Sequence, residues 1–181
     1  MCPHSIFNVP GCTEATACNY NAEAEVDDGS CTYAADGYDC AGNCLSGEAV
    51  IITLTDSYGD TWNGGSLMVN GVGYDQPTEY DGWGSGTASD SYDACIDLST
   101  CNDVTYTAGS YSHENSWQIT DADGQVLASG AAHSGTVGYC PGCTDESALN
   151  FDADATEDDG SCTYPGDDLS LIYTLPTHPS Y

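Results

Sequence analysis

The residues of this chain that can do chemistry are its carboxylates and its cysteines. There are 29 acids, set against no Lys, no Arg and four His. In the stretch from Asn150 to Asp159, oxygen donors stand at alternate positions, Asn150, Asp152 and Asp154, followed by Asp158 and Asp159. Asn19, Asn21, Glu23, Asp27 and Asp28 repeat the arrangement earlier in the chain. Alternating hard-oxygen donors suit a calcium ion. The same letters also suit a plain turn, with Gly29 and Gly160 at positive φ and the aspartates accepting from backbone amides. The EF-hand spacing is not met, because Ala155 stands where that loop needs its glycine. A second set lies elsewhere: Asp56 and Asp60 in DSYGDTWNGG, and Glu114 in SYSHENSW. Brought to one edge of a sandwich, these three make a calcium site with aromatics beside it for a sugar. Read otherwise, they are tight loops whose Trp62 and Trp117 fold back into the core.

Other chemistries find less support. His4, His113, His133 and His178 have no paired spacing, and Cys140-Pro-Gly-Cys143 lacks the second cysteine pair of a zinc site. Ser85 in Gly-Trp-Gly-Ser-Gly sits one place late for a nucleophile elbow. Among so many acids, no pair stands out as a glycosidase dyad. No catalytic residue is assigned, and the expected class is non-enzymatic.

The elements that must position these groups begin with a repeat. GCTEATACNYNAEAEVDDGSCTY, residues 11–33, returns as GCTDESALNFDADATEDDGSCTY, residues 142–164, with 14 of 23 positions identical. Cys12 with Cys31, and Cys143 with Cys162, bracket each copy, and a bridge across each is the natural pairing. So small a unit cannot bury enough to stand alone, and a closed loop of this size contributes about 3 kcal/mol. Cys18, where the second copy has Leu149, needs a partner, and the adjoining DGYDCAGNC offers Cys40 and Cys44. A two-loop knot is expected there. Cys95 and Cys101 are close enough in sequence to staple a neighbouring hairpin.

Between the repeats, short β-prone runs alternate with Gly, Asn and Asp clusters: residues 49–56, 66–74, 91–98, 103–109, 116–124, 125–130 and 135–140. No helical period competes. The expected fold is mainly β, an antiparallel β-sandwich or jelly roll flanked by small disulfide-stabilised modules. The divisions are an N-terminal extension, 1–10; a Cys-rich module, 11–47; the sandwich, 48–140; a second module, 141–164; and a tail, 165–181. In the tail, Leu169, Leu171, Tyr173 and Leu175 share one face of a would-be strand and Ile172 adds bulk to the other. A lone strand past the last module returns to the sandwich or adds to another subunit's sheet edge. Eleven cysteines leave one over, and Cys2, outside every module, is the candidate for an intersubunit bridge or a free terminal thiol.

Charge and cysteine content set the compartment. A net charge of −29 excludes nucleic acid, whose phosphates require Lys and Arg, and it asks for screening or bound cations to offset self-repulsion. Cysteine-dense small modules belong outside the cell, so a secreted, cell-surface location is expected. MCPHSIFNVP has neither the basic nor the apolar region of a signal peptide, which reads as a mature or excised segment. No run approaches the 18 or so apolar residues of a membrane span, so no membrane insertion is expected. With no Asn-X-Ser/Thr sequence in the chain, only O-glycosylation remains open.

The two DDGSC segments, with DGYDCAGNC, TLTDSYGDTWNGG and ENSWQITDADGQVLASG, resemble the cysteine-rich DDGSC repeats of large secreted and cell-surface proteins of marine microbes and large DNA viruses. The resemblance covers most of the chain and implies an extracellular modular array; it carries no defined activity or ligand set. The leading expectation is a structural subunit of an extracellular filament or surface appendage that self-assembles by module stacking and strand addition. The alternative is a calcium-dependent carbohydrate-binding or adhesion module, with surface glycans as partners.

Overall fold

The computed structural model describes residues 8–74 and 86–166. Cys2, Leu171, Ile172 and Tyr173, named above for assembly, lie outside the described residues, as does Ser85.

Alternation dictates the sandwich. The longest strand of the first sheet, β3 (Glu48–Asp56), turns Val50, Ile52, Leu54 and Asp56 to one side, each 2% exposed or less. It pairs antiparallel with β6 (Ala88–Ile96) on one edge and β8 (Asn115–Asp121) on the other, and β9 (Val126–Ala131) completes the order β6-β3-β8-β9. A second antiparallel sheet runs β10-β7-β4-β5, from β4 (Ser66–Val69), β5 (Val72–Tyr74), β7 (Cys101–Thr107) and β10 (Gly135–Gly138). The inward residues of both sheets, with Trp62, form one core, including Ile52, Leu54, Leu67, Val104, Ile119 and Val137. The expectation of an antiparallel sandwich therefore holds.

Three details differ from the sequence reading. Residues 66–74 form a hairpin rather than a single run, because Asn70 and Gly71 adopt φ 49° and 80°, the left-handed pair a tight two-residue turn requires. Cys95 and Cys101 do not bridge each other. Their strands belong to different sheets, so Cys95 binds Cys44 and Cys101 binds Cys140. The stretch after the first repeat is consequently no self-contained knot: Cys18 pairs with Cys40 as one of the two expected options, while Cys44 tethers the segment to the edge strand β6.

The repeats fold alike. Each is closed by its expected bridge, Cys12–Cys31 and Cys143–Cys162. Each carries a two-residue parallel pairing, β1 (Pro10–Gly11) on β2 (Val26–Asp27) and β11 (Pro141–Gly142) on β12 (Glu157–Asp158). All ten cysteines among the described residues are paired. Five disulfides place the folded chain in an oxidising environment. Among the described residues no helix is long and apolar enough to cross a membrane.

Candidate functional site

The structure separates the two sets of candidate donors. In the repeats, most of them hydrogen-bond the backbone of their own turn, whereas Glu23 and Asp154 enter through their backbone amides. Asn19 donates Nδ2 to the Ser30 carbonyl at 2.6 Å and accepts from the Thr32 amide at 2.8 Å, and Asn150 does the same to Ser161 (2.9 Å) and Thr163 (2.7 Å). Each asparagine clamps the closing segment where a short unit has no strand to pair it. Asn21 and Asp152 accept from the amides two residues on, Glu23 and Asp154. Asp27 and Asp158 accept from Gly29 and Gly160, and Asp28 and Asp159 from Ser30 and Ser161. Both glycines sit at φ 75°, so the turn chemistry of Asp-Asp-Gly-Ser is realised. Among the described residues, no three acids of the second repeat bring carboxylate oxygens within 4.8 Å of one another. In the first repeat, Glu14 and Asp27 meet only with Cys31, whose sulfur is spent in its disulfide.

These hydrogen bonds fix a pH response. Asp28 and Asp159 are held below the usual carboxylate range by the side-chain hydrogen bonds of Ser30 and Ser161, Asp145 by Ser147 and then Tyr164, and Asp39 by Asn43. A carboxylate whose folded pKa is depressed contributes stability above its unfolded pKa and loses it as pH falls through the folded one. The repeat turns should therefore loosen only below about pH 4. The amide resonances of Ser30 and Ser161 should shift there while those of Ile52 and Leu54 stay fixed; changes in the repeats between pH 5 and 7 would contradict the assignment.

Asp56, Asp60 and Glu114 do come together: one carboxylate oxygen from each lies within 4.8 Å of the others. The backbone explains how. Asp56 ends β3 opposite Asn115 on β8, and one step further the Ser57 amide donates to the Glu114 carbonyl at 2.9 Å. Glu114 closes a single 3-10 turn, Ser112–Glu114, led by Tyr111 at φ 55°. Asp60 is returned by the β3–β4 loop. There the Tyr58 and Gly59 amides both donate to Asp56 Oδ1 at 2.7 Å, and Asn63 Nδ2 donates to Asp60 Oδ1 at 2.9 Å. The two loops touch through their backbones. A Cβ on Gly109 would lie 2.3 Å from the Gly65 nitrogen, so only glycine permits the approach. Trp62 and Trp117 do fold back into the core, donating Nε1 to the Thr55 and His133 carbonyls. The tryptophans thus pack inward as one reading of these loops expects, and the three acids meet as the other requires.

The electrostatics of this trio are unusual. Asp56 is 0% exposed, Oδ1 is taken by two amides, and Oδ2 is buried without a hydrogen-bond partner. No Lys or Arg exists in the chain to pair with it. The imidazole of His113 stands beside the trio, its Nε2 3.6 Å from Glu114 and its side chain 76% exposed. The sequence held a signal for the burial: Asp56 continues the inward alternation of Val50, Ile52 and Leu54.

A second feature was not anticipated. A groove of about 740 Å³ opens between the first module and the sandwich edge, lined by Tyr33, Tyr38, Tyr74, Ser91, Tyr92 and Asp93 among others. Cys44–Cys95 joins its two walls, Cys18–Cys40 lies within the module wall, and Tyr74 meets Tyr92 edge-on at 5.4 Å.

Comparison with known proteins adds no family: no family model, no curated protein and no solved structure matches the chain.

Proposed function

We propose that the chain is a structural, non-catalytic unit of an extracellular assembly, a filament or surface appendage built by head-to-tail stacking of repeat and sandwich. One observation carries this reading. The two repeats share a fold, yet each contacts the rest of the chain through a different face. The second is gripped by the sandwich: Thr136 Oγ1 donates to the Asp154 carbonyl, Thr156 Oγ1 to the Gly138 carbonyl, and the Cys140 amide to Thr156 Oγ1. In the first, the positions of Cys140 and Thr156 are taken by Val9 and Glu25, and Val9 is 41% exposed. The first repeat instead meets the segment after it through Cys18–Cys40. In the second, Leu149 replaces Cys18 and stands 71% exposed. Each repeat therefore leaves uncovered, among the described residues, the face that the other uses, and a continued array would fill both. The secreted location fits the five disulfides and the absence of any Lys or Arg.

Sedimentation velocity of the purified, disulfide-bonded chain tests this. Polymers are expected, reduced to monomers by deleting residues 169–181 or by Leu149→Asp. A wild-type chain that stays monomeric at high concentration contradicts the reading.

The tyrosine-lined groove favours a second reading, a carbohydrate-binding adhesion module. Tyrosine rings stack on sugar faces and Ser91 and Asp93 hydrogen-bond hydroxyls, while a charge of −29 selects neutral glycans. Retarded migration in gels containing neutral polysaccharide, lost in Tyr33→Ala, supports it; unchanged migration removes it.

A further inference from the structure

We infer that Asp56, Asp60 and Glu114 form a calcium site that locks the end of the sandwich, an inference independent of whether the chain polymerises. An acidic cluster alone would not carry this, since acids crowd the whole chain. The independent observation is the orphaned oxygen of Asp56. A carboxylate removed entirely from water is costly unless it is paired with a cation or ligates a metal, and its second oxygen has no partner in the fold and no Lys or Arg available anywhere. Hydrogen-bonding leaves each aspartate one oxygen to give: Oδ1 of Asp56 serves two amides and Oδ1 of Asp60 serves Asn63. The cluster within 4.8 Å has the span of two calcium–oxygen bonds of about 2.4 Å each.

The donor set selects the ion. Three carboxylates without thiolate, the described cysteines all being in disulfides, do not suit zinc, which favours His and Cys. The site rests on two loops rather than a rigid octahedral cage, and tolerance of irregular geometry distinguishes calcium from magnesium. Asp60 and Glu114 are half-buried, so the remaining positions of a six- to eight-oxygen shell are open to water or to a ligand's hydroxyls. The consequence is mechanical. One ion joins the end of β3, the β3–β4 loop and the 3-10 turn before β8, adding to backbone hydrogen bonds such as Ser57 to Glu114 and Ser110 to Asn63. The affinity expected of an extracellular module is about 10⁻⁴–10⁻³ M.

The test is a thermal melt of the intact, disulfide-bonded chain after EDTA treatment, with calcium or magnesium chloride added back. Calcium at a hundredfold excess over its Kd should raise the Tm by about 5–10 °C, with magnesium giving less than half of that. In the double variant D60N/E114Q the metal-free Tm should be equal to or above that of the metal-free wild type, because carboxylate repulsion is relieved, and the calcium increment should vanish. A wild-type Tm unmoved by about 10 mM calcium, far above that affinity range, overturns the proposal. So does an increment that survives in D60N/E114Q, which would place the ion in the repeats. Should the double variant not fold, terbium luminescence of the wild-type chain excited through Trp62 decides: emission displaced by calcium supports the site, and no emission overturns it.

Discussion

Trp117→Ala should lower the stability of the chain by about 3–5 kcal/mol, the range for emptying a large aromatic from a core. The indole is 2% exposed and sits where β9 approaches β10, the edge strands of opposite sheets. Space for it is made by glycines: a Cβ on Gly130 would lie 2.7 Å from the ring, and one on Gly135 would touch it at 3.4 Å. Its Nε1 holds the His133 carbonyl at 2.8 Å, between the two strands. Neither neighbouring glycine has a side chain that could turn into the void, so a cavity term adds to the lost burial. In a chain of this size the loss corresponds to a Tm lower by roughly 6–20 °C. Gly130→Ala should destabilise too, by clash rather than cavity. A loss under about 1 kcal/mol in Trp117→Ala would show that the edge strands are held by something other than this ring.

Removing the Cys44–Cys95 bridge, as Cys44→Ser with Cys95→Ser, should cost about 4 kcal/mol by loop entropy, since it closes a separation of 51 residues. The pair joins the first module to an edge strand, and few buried contacts back it up: the segment from residue 33 to residue 47 is almost wholly exposed. The effect should therefore be regional. Endoproteinase Glu-C or chymotrypsin should cut the segment around Tyr38 and Leu45 in the variant before it cuts the sandwich, whereas trypsin finds no site in either protein. Simultaneous cleavage of module and sandwich would contradict a tether and indicate one cooperative unit.

How much of this was legible beforehand differs between elements for physical reasons. The repeat bridges could be read because each closes a unit that recurs whole, so Cys12 and Cys31 move together. Cys95 and Cys101 misled because nearness along the chain says nothing of which sheet each strand joins. The hairpin at Asn70–Gly71 was present in the letters, yet the apolar run on both sides of it masked the turn. Asp56, Asp60 and Glu114 were legible as a set because acids in loops at strand ends meet at one end of a sandwich. What the letters did not reveal is that Asn19 and Asn150 serve as backbone clamps. That depends on which carbonyl and amide lie opposite, a matter of three-dimensional register. The tyrosine groove is equally a product of tertiary approach, formed by residues 33–42 lying against β5 and β6.

A sandwich without a single Lys or Arg, built round a carboxylate that water cannot reach, is the feature on which the account rests. Calorimetric titration of the intact, metal-free chain with calcium chloride to about 10 mM, above the expected affinity range, measures the outcome directly. One calcium ion per chain, bound at about 10⁻⁴–10⁻³ M, is expected for the wild type and none for D60N/E114Q. No saturable binding to the wild type, or the same calcium count in both proteins, would contradict it.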